Sequence, residues 1–224
     1  YWRDASATVP YLTPTTASSG IYYIKATSSF GCYDIKSVTV VVNPLPSAAI
    51  AGTTTICKNS ATPLITFTGS GGTAPYTFRY TINGGATQTI STITGNSVTL
   101  QASTAVAGVF NYALQSVQDA SASACIQNQT GIAVITVNPL PTITLGANPI
   151  VCYGTTSTSI PYSTTTNSPN NYSITWEPAP LGVGFLNVSL TTLNAGSIAL
   201  VIPSNVAAGT YSGSIAVKNA NGCI

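Results

Sequence analysis

Alternating or apolar segments recur along the chain at 62–68, 76–82, 86–93, 97–101, 108–118 and 131–137, and each has the length and period of a half-buried strand. Corresponding segments follow near 159–164, 171–177, 184–192, 197–202 and 209–218. No stretch places apolar residues at i, i+3, i+4 and i+7 over three turns, so no long helix is expected. Asn83-Gly84-Gly85 separates two of the segments and predicts a hairpin, because Asn and Gly tolerate the positive φ of tight turns. The pattern predicts an all-β chain.

The segments belong to a repeat. Asn43-Pro44-Leu45-Pro46 returns as Asn138-Pro139-Leu140-Pro141, a shift of 95 residues. Thr104 to Phe110 aligns with Asn205 to Tyr211 and, more loosely, with Thr16 to Tyr22; Pro75 to Tyr80 aligns with Asn171 to Trp176. About seven strands in about 100 residues is the size of an immunoglobulin-like β-sandwich. The expected organisation is the C-terminal half of one repeat at 1–44, a complete repeat at 45–139, and a repeat lacking its last strand at 140–224. The paired prolines fix φ and remove donors, so each junction is expected to be a short, semi-rigid linker. The chain opens at Tyr1-Trp2-Arg3 without an initiator Met, which reads as an internal piece of something longer.

Composition removes most functional classes. Six Lys and Arg, four Asp and Glu and no His make only 4% charged residues, against about 25% in an ordinary soluble domain. A net charge of +2 without a basic cluster argues against nucleic acid as a partner. Thr and Ser replace the charges as the main polar residues, and 44% hydrophobic residues are enough to form cores. No apolar run of about 18 residues is present, so no transmembrane helix is expected.

The cysteines follow the repeat. Cys57 and Cys152 each lie 14 residues after the Asn of the proline motif, whereas Cys32 and Cys125 precede that Asn by 11 and 13 residues and Cys223 lies near the C-terminus. Each repeat thus has one early and one late cysteine. The pairs available within repeats are Cys57 with Cys125 and Cys152 with Cys223, leaving Cys32 unpaired by truncation. One structural disulfide per repeat is therefore expected, and with it an oxidising, extracellular compartment. No CxxC spacing and no His complete a tetrahedral metal site, and the linkers carry no carboxylate cluster for calcium. No cofactor is implied.

Catalytic groups are equally scarce. The carboxylates are Asp4, Asp34, Asp119 and Glu177, too dispersed for a glycosidase pair, and the lack of His excludes a Ser-His-Asp or Cys-His site. Gly69-Ser70-Gly71-Gly72-Thr73 lacks the Lys and the following helix of a phosphate loop and reads as a wide turn. Tyr76, Tyr80, Tyr172 and Trp176 can be read as a sugar-stacking platform, but their strand position favours the intersheet core. Tyr22, Phe110 and Tyr211 each start a late strand, where a ring anchors a corner.

The Asn-Pro-Leu-Pro motifs, Gly71 to Thr77, Tyr1 to Pro10, Gly20 to Lys25 and Gly31 to Lys36 together resemble repeats of giant cell-surface adhesins of Bacteroidota, the SprB-like gliding-motility adhesins among them. The resemblance covers essentially the whole chain. It implies export by the type IX secretion machinery, attachment at the outer membrane surface, and a non-enzymatic role in adhesion to extracellular surfaces or polysaccharide, with gliding motility as its setting. The alternative is a carbohydrate-binding or spacer module of a secreted hydrolase, which exposed coplanar aromatics would favour.

Overall fold

The computed structural model describes all 224 residues, and its strands fall into three consecutive groups. In the first, β1 (Gly20–Thr27) and β2 (Tyr33–Val40) form an antiparallel ladder, and Trp2 bridges to Tyr23 and Pro10. A 3-10 turn at Pro14–Thr16 precedes β1. The Tyr11 and Tyr22 rings stack beneath it at 4.7 Å.

The middle group is a complete sandwich. One sheet has the order β3 (Ser47–Ala51), β5 (Leu64–Ser70), β8 (Ser97–Gln101). The other has the order β4 (Thr54–Cys57), β11 (Ile132–Asn138), β9 (Gly108–Gln118), β6 (Thr77–Ile82), β7 (Gln88–Ser91), with β10 (Ile126–Asn128) on the end of β9. Every pairing is antiparallel except β4 with β11. Phe67 of the first sheet meets Phe78 and Tyr80 of the second at 5.7 and 5.1 Å between ring centroids, and all three are buried. These rings, with Ile65, Leu114, Val117, Ile135 and Val137, form the core. A bulge opposite Arg79/Tyr80 shifts β9 by one residue, so the inward set passes from Tyr112 and Leu114 to Val117.

The third group repeats this order in part. β12 (Thr142–Leu145), β13 (Ser157–Thr166) and β16 (Ser197–Val201) match β3, β5 and β8; β15 (Val188–Thr192), β14 (Pro169–Trp176) and β17 (Gly213–Asn219) match β7, β6 and β9. No strand stands where β11 and β4 stand in the middle sandwich. The second core is accordingly smaller, with Ile160, Tyr172, Ile174, Ile198, Leu200 and Val217. A single helical turn, α1 (Pro178–Gly182), enters after β14 and displaces the start of the strand expected at 184–192. No helix is long and apolar enough to cross a membrane.

Local signals are realised where they were strongest. Asn83 and Gly84 take φ of 50° and 70°, and Gly85 N–H closes the turn on Ile82 O at 3.0 Å. The late-strand rings do anchor corners: Tyr22 OH donates to Ser18 O and Tyr211 OH to Ala207 O, each at 2.9 Å and four residues back. Phe110 holds the same position without a hydroxyl. The short strands β3, β4, β10 and β12 carry too few large apolar residues for their alternation to stand out, and none was anticipated.

The disulfide pairing corrects the expectation. Cys57 is bonded not to Cys125 but to Cys223, 166 residues away with Cα atoms 5.5 Å apart, while Cys32, Cys125 and Cys152 are free thiols. Strand direction is the reason. Cys57 ends β4, level with Asn138 at the end of β11, and β11 in turn runs past the start of β9 at Gly108. Cys125 lies beyond the other end of β9, past Gln118. Ten residues of strand, about 33 Å, separate the two ends, whereas a disulfide needs Cα atoms within about 7 Å. Cys223 follows β17, the counterpart of β9, and so lies at the end of the third group that faces the Pro139 junction. There Asn219 Nδ2 donates to Pro139 O at 3.2 Å.

Candidate functional site

Three of the four carboxylates serve local structure. Asp4 accepts from the N–H groups of Thr8 and Val9 and from the Thr8 hydroxyl, which holds its carboxyl below the usual range. Asp34 pairs with exposed Lys36 at 3.2 Å, an interaction worth about 0–1 kcal/mol. Glu177 is the N-terminal flanking residue of α1, and its side chain caps nothing. No group of three or more His, Cys, Asp and Glu side chains comes together.

Asp119 is different. It is buried at the far end of β9, and its Oδ1 accepts from Ser121 Oγ and Cys125 N–H, each at 2.8 Å. Its Oδ2 accepts from Thr73 N–H at 3.0 Å, tying the turn after β5 to the loop that carries Cys125. Gly72, at φ +60°, lies so close that a Cβ there would stand 2.5 Å from Asp119 Oδ2. The glycine-rich segment is thus a turn clamped by a carboxylate, as its lack of Lys indicated. Burial pushes the Asp119 carboxyl up, but the hydrogen bonds from Ser121, Thr73 and Cys125 outweigh it and hold the acid below its ordinary value of 3.8. In the third group Asn219 replaces it, accepting from Asn221 and Cys223 N–H at 3.1 Å.

A pH test follows. A depressed folded-state pKa adds stability that is present above the unfolded value and lost as pH falls through the folded value. Asp119→Asn is expected to melt below the native chain at pH 7, by a margin that shrinks toward about pH 2 as the carboxyl takes up its proton. Thermal melts of both chains at the two pH values check this; an offset unchanged by acid would refute the ionic role.

The aromatic residues resolve into two sets. Tyr76, Tyr80 and Tyr172 are buried, so they are core and form no sugar platform. Burial also raises the phenol pKa of Tyr80 and of Tyr112. Trp176 instead packs on Phe185 at 4.5 Å, and Phe185 on Tyr211 at 5.0 Å. These rings line a groove of about 600 Å³ with Cys152, Tyr153 and Ile215. The groove follows the side of β17 where, in the middle sandwich, β11 buries Ala133, Ile135 and Val137 against β9. Its other wall includes Ile150, 98% exposed, in the segment matching β4. Sequence reasoning missed Phe185, since the apolar stretch around it reads as strand.

The outer faces carry hydroxyl pairs in place of ion pairs. Ser47 with Ser70, Thr68 with Ser97, Thr77 with Ser91 and Thr142 with Thr166 lie directly opposite on paired strands, 2.6 to 2.9 Å between oxygens. The Thr-rich composition is thus a way of making polar sheet surfaces with almost no charge.

Strand order, the intersheet aromatic core and the tyrosine corners define immunoglobulin-like β-sandwiches in tandem. Among solved structures, the chain is similar to a calcium-stabilised, ice-binding adhesin of an Antarctic bacterium, at 15% identity over 88% of this chain and 55% of that one, TM-score 0.41. It is also similar to a 1.5-MDa bacterial ice-binding adhesin, at 16% identity over 91% of this chain and 69% of that one, TM-score 0.39. A third similarity is to the fibronectin(III)-like modules of Clostridium thermocellum CbhA, at 11% identity over 79% and 87%, TM-score 0.33. The chain spans about half the length of the first of these. No protein-family model and no curated protein matches it.

Proposed function

We propose that residues 1–44, 45–139 and 140–224 are successive units of the repeat region of a bacterial surface adhesin, non-enzymatic, held outside the cell and serving adhesion to surfaces or polysaccharide. The observation that carries this is the recurrence of one sandwich order in the second and third groups, joined across a short proline linker by a disulfide. Such a chain transmits force and presents hydroxyl-rich faces. Asp4 and Asp119 are engaged in turns, Asp34 in an exposed ion pair, and Glu177 stands apart from them beside α1, which supports the non-enzymatic reading. The resemblance to SprB-like adhesins adds type IX export, outer-membrane attachment and gliding motility to the proposal.

A second reading has its own observation, the Trp176-Phe185-Tyr211 cluster on an open groove, which fits a sugar-binding module of a secreted hydrolase. Beads coated with the chain and held under flow on glass, polystyrene and agarose separate the two. Retention above albumin-coated beads, with Trp176 fluorescence unchanged by millimolar cello- and xylo-oligosaccharides, is expected for the adhesin. No retention, together with a saturable fluorescence change abolished by Trp176→Phe, would overturn it in favour of the module.

A further inference from the structure

The five cysteines occupy two structural positions. Cys32, Cys125 and Cys223 each follow the strand of the β1, β9, β17 series, and in each the residue ending or following that strand donates its N–H back to the cysteine carbonyl: Ser28 to Cys32 at 2.8 Å, Asp119 to Cys125 at 3.0 Å, Asn219 to Cys223 at 3.1 Å. Cys57 and Cys152 share the other position, a turn in which the residue three further on donates to the cysteine carbonyl, Ser60 at 3.2 Å and Thr155 at 3.1 Å. One position lies at the entry end of a unit and the other at its exit end. The one disulfide joins one of each, across a junction.

The remaining entry-end cysteine of a complete sandwich is placed in the same way. Its loop reaches back to the linker that enters its own unit: Ser123 Oγ takes a hydrogen bond from Asn43 Nδ2 at 2.5 Å, at the junction where Asn43 is the counterpart of Asn138. Cys125 therefore stands at that junction as Cys223 stands at the next. Cys152, in the exit-end turn, is exposed and lines the open groove.

We infer that the cysteines form a head-to-tail lock, in which the exit-end cysteine of each unit bonds the entry-end cysteine of the unit that follows it. Cys125 and Cys152 are then binding sites for an adjoining repeat of the same kind, taking respectively its exit-end and its entry-end thiol. Each closure converts two thiols to one disulfide, releasing two protons and passing two electrons to an oxidant of the thiol oxidoreductase class, whose own disulfide becomes a dithiol. Locks of this kind at every junction make a covalent ladder in which tension crosses each junction through a disulfide as well as through the proline linker. The inference rests on the tandem-unit reading above but not on adhesion, and its test reports on bonds alone.

Two measurements decide it. In the full chain, made in an oxidising compartment and mapped by mass spectrometry without reduction, Cys57 and Cys223 are expected in one linked peptide pair and Cys32, Cys125 and Cys152 as alkylated thiols. Cys125→Ser is expected to leave that link intact. A Cys57–Cys125 link, or loss of the Cys57–Cys223 link in Cys125→Ser, would overturn the rule. In a lengthened chain, with residues 126–224 repeated directly after Cys223, Cys152 is expected to bond the second copy of Cys223. Cys152 found alkylated in a chain that retains the Cys57–Cys223 link, or bonded to the first Cys223 in place of Cys57, would overturn the extension to neighbouring units.

Discussion

Pulled between its two ends, the oxidised chain is expected to release only residues 1–57, because the load crosses directly from Cys57 to Cys223 and bypasses everything between them. Reduction puts the chain between the two cysteines, 166 positions apart, back into the load path. At roughly 3.4 Å per residue this adds about 560 Å of contour. A bond within the middle sandwich, from Cys57 to Cys125, would instead add about 230 Å on the same scale. Single-molecule extension in the presence and absence of a reductant reads the difference directly. A gain near the smaller figure, or none, would mean that the junction bond does not lie across the load. The strands most protected are β6, β9 and β11, which hold the Phe78, Val117 and Ile135 core.

The second large effect is thermal, and it should fall on the third group alone. While the middle sandwich stays folded, Cys57 is held beside Asn138, so the bond closes a loop of little more than the third group itself. The chain-entropy model assigns such a loop about 4 to 5 kcal/mol. For a domain of this size that is a fall of more than about 15 °C in the melting midpoint. The third group is the one that needs it: its core has 6 buried residues against 12, and one edge of β17 is unpaired. Trp176 fluorescence reports its melting, and amide exchange in β9 and β11 reports the middle sandwich. Cys57→Ser is expected to lower the first by that amount and leave the second nearly unchanged. Equal falls in both, or no fall in the Trp176 transition, would contradict the account.

Much of this was legible in residues taken one short window at a time. The alternation around Phe78, Tyr80 and Ile135, the Asn83-Gly84 turn, the repeated Asn-Pro-Leu-Pro and the Tyr22 and Tyr211 corners are local properties, each dictated by side-chain period, φ preference or a hydrogen bond spanning four residues. They were sufficient for the all-β class and the immunoglobulin-like order. The scarcity of acids and the lack of His are equally a matter of inventory.

What only the tertiary structure decided is which ends of the strands meet. Membership of one repeat put Cys57 with Cys125 and Cys152 with Cys223, but β4 and β9 run so that their cysteine-bearing ends lie at opposite ends of the sandwich. Repeat register is conserved under translation along the chain and says nothing about direction within the fold. Direction is set by sheet pairing, and pairing is a long-range contact. The same holds for the groove beside Trp176, where the middle sandwich places β11. It holds again for Asp119, an isolated acid in the sequence whose partners Thr73 and Cys125 are brought together only when the turn after β5 packs against the end of β9.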